Sequence, residues 1–160
     1  MLSWGDFEKA RPDLAEAGRG LLYQFGVGLA FLSTVRKDGG PRVHPMCPLI
    51  MDRRLLAFLI PSPKANDLVR DPRFAMHSFP RPNDEDAFYI TGEAKPCLDE
   101  ELRETAGKQF WQERPQIPVA PDFADQRLFE FFIEMAMLTR TTGHGDPDPQ
   151  HTIWRLGGTA

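Results

Sequence analysis

The chain has 160 residues and a mass of 18.2 kDa, with 41% hydrophobic and 26% charged residues. That suits one domain, residues 1–160, with a core of its own, and excludes wholesale disorder. Nineteen Lys and Arg against 23 Asp and Glu leave a net charge of −4, so no basic excess exists to neutralise a nucleic-acid backbone.

Two cysteines, Cys47 and Cys97, cannot build a disulfide framework, and the four histidines do not join them at zinc-ligand spacing, so no metal site is expected. The N-terminus is charged and amphipathic without an apolar signal core, and the longest apolar-leaning stretch, Phe25 to Leu32, is far too short to span a bilayer. A soluble cytoplasmic protein, without nucleic-acid or membrane partners, is the expectation.

Asp6 to Tyr23 reads as a first helix capped by Asp6, with Pro12 limiting its early regularity. Gly28 to Arg36 is apolar and β-branched and reads as a strand. Asp38-Gly39 is a hairpin turn, Arg42 to Met51 the return strand, and Leu55 to Ile60 a third strand after a turn at Asp52 to Arg54. Ser62 to Asp71 is a short helix, with Ser62 as cap, Pro63 at the first helical position and Asp71-Pro72 as the stop. Phe74 to Phe79 and Ala87 to Lys95 are further strands, with Gly92 marking a bulge or a close backbone approach.

Acidic residues load the first turn of a helix over Asp99 to Arg114, which Pro115 ends. Leu128 to Thr141 is open to either period; its Phe and Ile content leans to strand. His151 to Leu156 closes the chain as a short strand. The sum is an α+β fold, mainly β: six or seven antiparallel strands in a small barrel with peripheral helices.

Nucleophile-elbow, P-loop and dinucleotide fingerprints are absent. Two segments carry chemistry. Ser62-Pro63-Lys64-Ala65-Asn66 falls where a strand passes into a helix. A first helical turn offers unbonded N–H groups and partial positive charge to an anion. Lys64 opposes the helix dipole there, and a phosphate turns that opposition into attraction. The bland alternative is an ordinary cap followed by a solvated lysine. Arg42-Val43-His44-Pro45-Met46-Cys47-Pro48 carries two prolines in a strand-like run, so it is an edge or bulged strand whose other backbone groups are free for a planar ligand. Protection of that edge against aggregation is the alternative. His77 reads as a satisfied strand histidine, and Trp154-Arg155 either as an aromatic lid with a cation beside it or as barrel packing.

In combination, STVRKDGGPRVHPM, LLAFLIPSPKANDLVRDPRFAMHSF and FYITGEAK, in that order, resemble the pyridoxamine 5′-phosphate oxidase-like flavin-binding split barrels, with a weaker echo in TIWRLGG. The resemblance covers about 70 residues, Leu29 to Lys95. It implies a split-barrel homodimer with two FMN sites in its interface, acting as an oxidoreductase on a small molecule. Arg42, Val43, His44, Pro45, Met46 and Cys47 would lie along the isoalloxazine and ribityl chain, with Leu59 and Ile60 approaching by backbone. Ser62 and Lys64 would hold the phosphate with help from Asn66, and Trp154 and Arg155 would cover the site, from the same or the partner chain. Pro63 stands where family members often carry Arg. Deazaflavin, FAD and haem are the alternative cofactors on this scaffold; for haem, His44 and His77 would be the candidate ligands. No catalytic acid or base is forced by the sequence, and a non-catalytic flavin- or haem-binding module is the alternative to an enzyme.

Overall fold

The computed structural model describes residues 1–158. Its first helical region is two helices, α1 (Trp4–Ala10) and α2 (Pro12–Leu22), which meet at Arg11. Pro12 starts the second helix because its missing N–H is harmless only in a first turn. The cap of the first helix is Ser3, not Asp6: the Ser3 hydroxyl accepts from the Asp6 N–H and donates to the Asp6 carboxylate.

The sheet is built from β1 (Ala30–Val35), β2 (Pro41–Met46), β3 (Leu49–Met51), β4 (Arg54–Leu59), β5 (Arg73–Ser78), β6 (Ala87–Pro96), β7 (Arg127–Arg140) and β8 (Gln150–Arg155). All pairings are antiparallel, in the order β2-β1-β5-β6-β7-β4-β3, with β8 on β7. The strand expected over Arg42 to Met51 is therefore two strands broken at Cys47-Pro48, and the strand count is eight. Pro48 cannot donate to a ladder, and β2 and β3 end up at opposite ends of the strand order, each paired on one side.

β7 explains the split. One side pairs with β6 along most of its length; the other is shared by β4 over Arg127 to Glu130 and β8 over Met135 to Arg140. Leu2 fills the gap between them, exchanging two backbone hydrogen bonds of 2.8 Å with Ile133. The β6–β7 register slips at Gly92, and a Cβ there would lie 1.8 Å from the Phe132 carbonyl oxygen. The close approach expected at Gly92 is thus what bends the two longest strands around the core.

Alternation separates two apolar layers. Leu32, Leu55, Ala57, Phe74, Met76, Phe88, Ile90, Phe129 and Phe131 point into the half-barrel, closed below by Trp4, Phe7, Leu14 and Leu22 of the first two helices. Leu49, Met51, Leu56 and Leu128 form a second cluster on the opposite face, covered by Ala106 of α4 (Glu100–Gln112). Asp99 caps α4, accepting from the Leu102 N–H at 3.0 Å.

Edge strand β3 is protected by side chains. Asp52 and Arg53 both take positive φ, 45° and 63°, the hand of a two-residue hairpin turn. Met51 and Arg54 then share the ladder bonds, so the N–H and C=O of the next residue, Ile50, face the open side. Tyr23 Oη accepts from the Ile50 N–H at 2.8 Å, and Gln109 Nε2 approaches the Ile50 carbonyl at 3.5 Å.

Candidate functional site

Helix α3 (Pro63–Arg70) begins just after β4, packs against β1 and β6, and is tied to β2 by side chains. Two side-chain contacts fix that alignment. Lys64 Nζ donates to the Pro45 carbonyl at 3.2 Å, and Arg42 Nε donates to Asp67 Oδ2 at 2.7 Å. Lys64 and Asp67 are three residues apart and so share a helix face, with β2 lying along it.

Ser62 is the N-cap residue in extended backbone, yet its hydroxyl does not cap the helix. Ser62 Oγ is buried and has no hydrogen-bond partner. Among buried polar groups that is the uncommon case. The Lys64 and Ala65 N–H groups, in the first turn, have no upstream carbonyl to bond. Burial pushes the Lys64 ammonium below its usual pKa of 10.5, and the neighbouring Cys47 opposes that shift. An unpartnered hydroxyl, free first-turn N–H groups and a partly desolvated ammonium thus all belong to the start of α3, and each of them favours an anion.

Arg42 is held rather than free. Asp67, nearly buried, accepts from Arg42, from Arg70 Nη1 at 3.1 Å and from Thr34 Oγ1 at 3.1 Å. Burial works against the Asp67 charge, but these donors more than offset it and hold the carboxyl below its usual range. The Arg42 terminal nitrogens carry no protein partner among the described residues. Arg42 lines a cleft of about 480 Å³ together with Arg36, Lys37, Asp38 and Asp67.

The remaining expected residues divide. Val43, His44, Pro45 and Ile60 are exposed, Cys47 is half-buried, and Met46 and Leu59 are buried in the core. Asn66 is turned away: its Oδ1 accepts from Arg127 Nη1 at 3.3 Å. Trp154 and Arg155 do not cover this chain's own α3. Trp154 pairs with Ala136 whereas Leu59 pairs with Arg127, which separates them by nine residues, about 30 Å, of β7. The Trp154 ring packs on Phe7 at 5.3 Å, and Arg155 is exposed. His44 pairs with Leu32 and His77 with Phe31. Paired residues share a sheet face and neighbours do not, so the two histidines lie on opposite faces and cannot grip one group together. Among the described residues no cluster of three His, Cys, Asp or Glu could hold a metal ion, and no helix is long and apolar enough to cross a membrane.

Sequence reasoning missed Asp67 and Tyr23. Asp67 sits 25 residues from Arg42; its signal is a carboxylate on the inner face of an otherwise amphipathic turn. Tyr23 lies past a helix end with no local sign of its partner.

No protein-family model matches the sequence, and no curated protein does. Solved structures do match. A pyridoxamine 5′-phosphate oxidase candidate from Listeria innocua has TM-score 0.58 at 19% identity, covering 75% of this chain and 93% of that one. An FAD-binding protein from Mesorhizobium loti has TM-score 0.54 at 20% identity, covering 68% and 82%. A haem-binding protein from Mycobacterium smegmatis has TM-score 0.60 at 14% identity, covering 85% of this chain and 57% of that chain. At these identities the likeness is one of fold: the chain folds as a split barrel of the pyridoxamine 5′-phosphate oxidase type.

Proposed function

We propose that the chain is an FMN-binding oxidoreductase acting on a small molecule, with the flavin phosphate at Ser62 and Lys64. The observation that carries this reading is the buried, unpartnered Ser62 hydroxyl at the start of α3, two residues before a lysine whose ammonium is bonded only to a carbonyl. A phosphate there supplies the missing acceptor and the missing counter-charge together, and a charge-assisted contact of this kind is worth about 1.5–3 kcal/mol.

The residues present fit the group. Ser62 and Lys64 hold the phosphate with the first-turn N–H groups. Edge strand β2 offers backbone along its open side, and the exposed Val43 and Pro45 give that edge an apolar surface. When bound, flavin supplies hydride or single-electron chemistry, while the protein binds and orients it. Pro63 has no charge to offer a phosphate, so among Ser62 to Asn66 the side-chain cation is Lys64.

A two-fold dimer belongs to the same proposal. Phe31 and Phe79 stack at 4.3 Å on the outer sheet face, and Ile153 and Val43 are about half exposed. A second copy would cover such apolar surface symmetrically. For haem, the opposed faces of His44 and His77 offer no paired ligation, so flavin is the better-supported cofactor. The test is the absorbance spectrum of the purified protein, with the mass of any cofactor released on denaturation and its reduction by nicotinamide donors. A bound FMN, reduced and turned over, supports the proposal; a Soret band, or no uptake of added FMN, overturns it.

A further inference from the structure

The cleft beyond Arg42 has a charge pattern that the flavin phosphate does not use. It is lined by Arg36, Lys37 and Arg42 against the carboxylates of Asp38 and Asp67, and Arg70 pairs with Asp67 from α3. Arg36 pairs with Asp38 at 2.6 Å, and the Asp38 carboxylate also accepts from the Gly40 N–H at 3.0 Å. Arg42 and Arg70 share the single carboxylate of Asp67. Lys37 is exposed and has no partner among the described residues. Three lining cations against two lining carboxylates, with Arg70 on Asp67 behind them, leave the cleft net positive in a chain whose net charge is −4.

The arrangement is directional as well as positive. Asp67 grips Arg42 by Nε alone and is itself nearly buried. The planar Arg42 fork is thus anchored at Nε in the cleft wall, its terminal donors without a protein partner among the described residues, and such a fork suits phosphate oxygens. The turn above it is closed by the Arg36 N–H bonding the Gly40 carbonyl at 2.8 Å, with Gly39 at φ +84°.

We infer that this cleft is a second anion subsite, for a phosphate monoester carried by the co-substrate rather than by the flavin. A monoester carries close to two negative charges at neutral pH, so a net positive cleft attracts it more strongly than a singly charged anion. The inference rests on the flavin phosphate lying at Ser62 and Lys64. Two sources share this chemistry: the 2′-phosphate of a reduced pyridine dinucleotide, and a phosphorylated small substrate.

The experiment is an amide NMR titration of the full chain saturated with FMN, following Lys37, Gly39 and Gly40, with inorganic phosphate, 2′,5′-ADP and 5′-AMP as probes. Wild type should bind 2′,5′-ADP in the cleft without releasing FMN. Lys37→Ala, at an exposed turn position, should weaken that binding about tenfold and leave FMN affinity unchanged. Tighter binding of 2′,5′-ADP than of 5′-AMP assigns the monoester to the dinucleotide. Equal binding of both, with inorganic phosphate competing, assigns it to a phosphorylated substrate. No shift in the turn with millimolar phosphate or 2′,5′-ADP overturns the inference. So does mutual exclusion of 2′,5′-ADP and FMN, because the cleft is then the flavin's own phosphate site. Failure of the chain to take up FMN, by contrast, counts against the flavin reading, and the same titration on the unloaded chain then decides the cleft separately.

Discussion

Tyr23→Phe isolates the contact that closes edge strand β3. The substitution removes one oxygen and leaves the ring in place. The Ile50 N–H, which faces the open side of the hairpin, then loses its acceptor at 2.8 Å. Leaving a buried donor unsatisfied costs about 1–2 kcal/mol. Alkaline pH gives the same residue a second signature. Burial raises the Tyr23 pKa from 10.0 to about 12, the nearby Glu113 charge adds to the rise, and the Ile50 N–H works against it. Between those values the unfolded chain has lost a proton that the folded chain retains, so stability falls as pH rises. Full linkage at pH 11 is about 1.4 kcal/mol, or roughly 1 kcal/mol once the partly exposed ring is allowed for. Wild type loses this contribution and Tyr23→Phe does not, while the other titrating groups cancel in the difference. Urea unfolding at pH 8 and pH 11 reads both effects. The mutant deficit should be about 1–2 kcal/mol at pH 8 and clearly smaller at pH 11. A deficit that is the same at both pH values refutes the account of Tyr23, and no deficit at either removes its role in guarding the edge.

Three further outcomes follow from the geometry. Gly92→Ala should destabilise by about 2–4 kcal/mol in thermal or urea unfolding, because the new Cβ meets the Phe132 carbonyl oxygen at 1.8 Å and backbone must shift. FMN affinity should fall as pH rises through the Lys64 pKa, which burial places below 10.5, whereas riboflavin affinity should not follow it; parallel fluorescence titrations across alkaline pH check this. Pro63→Arg should tighten FMN binding about tenfold or more while lowering stability of the unloaded chain by about 0.4–1 kcal/mol, and an equal gain for riboflavin would place the phosphate elsewhere.

How much was legible in the sequence depended on range. Asp38-Gly39 and Gly92 speak for themselves, because each requires a backbone that side-chain-bearing residues disfavour. The β-rich composition of Leu128 to Thr141 decided strand over helix, and the Ser62-Pro63-Lys64 helix start fell where its local chemistry put it. Boundaries set by competition between neighbours were not legible. Ser3 took the cap from Asp6, Pro12 divided one amphipathic stripe into two helices, and Pro48 divided one apolar run into two edges. Roles set by distant partners were hidden as well. Nothing near Arg42 in sequence points to its partner Asp67 on α3, and of the two readings open for Trp154 the structure shows packing on Phe7. The Ser62 hydroxyl was read as a cap, and only three-dimensional packing left it buried with nothing to bond.

The central claim is that the first turn of α3 holds the phosphate of a flavin, and paired titrations of FMN and riboflavin into the unloaded protein test it most directly. The two ligands share the ring and ribityl chain and differ only in the phosphate. Wild type should prefer FMN by at least about tenfold, the equivalent of one charge-assisted contact. Lys64→Ala and Ser62→Ala should each erode that preference while riboflavin affinity stays where it was. Equal affinity of the wild type for FMN and riboflavin would contradict the account, because the buried hydroxyl and the ammonium beside it would then have no phosphate to serve.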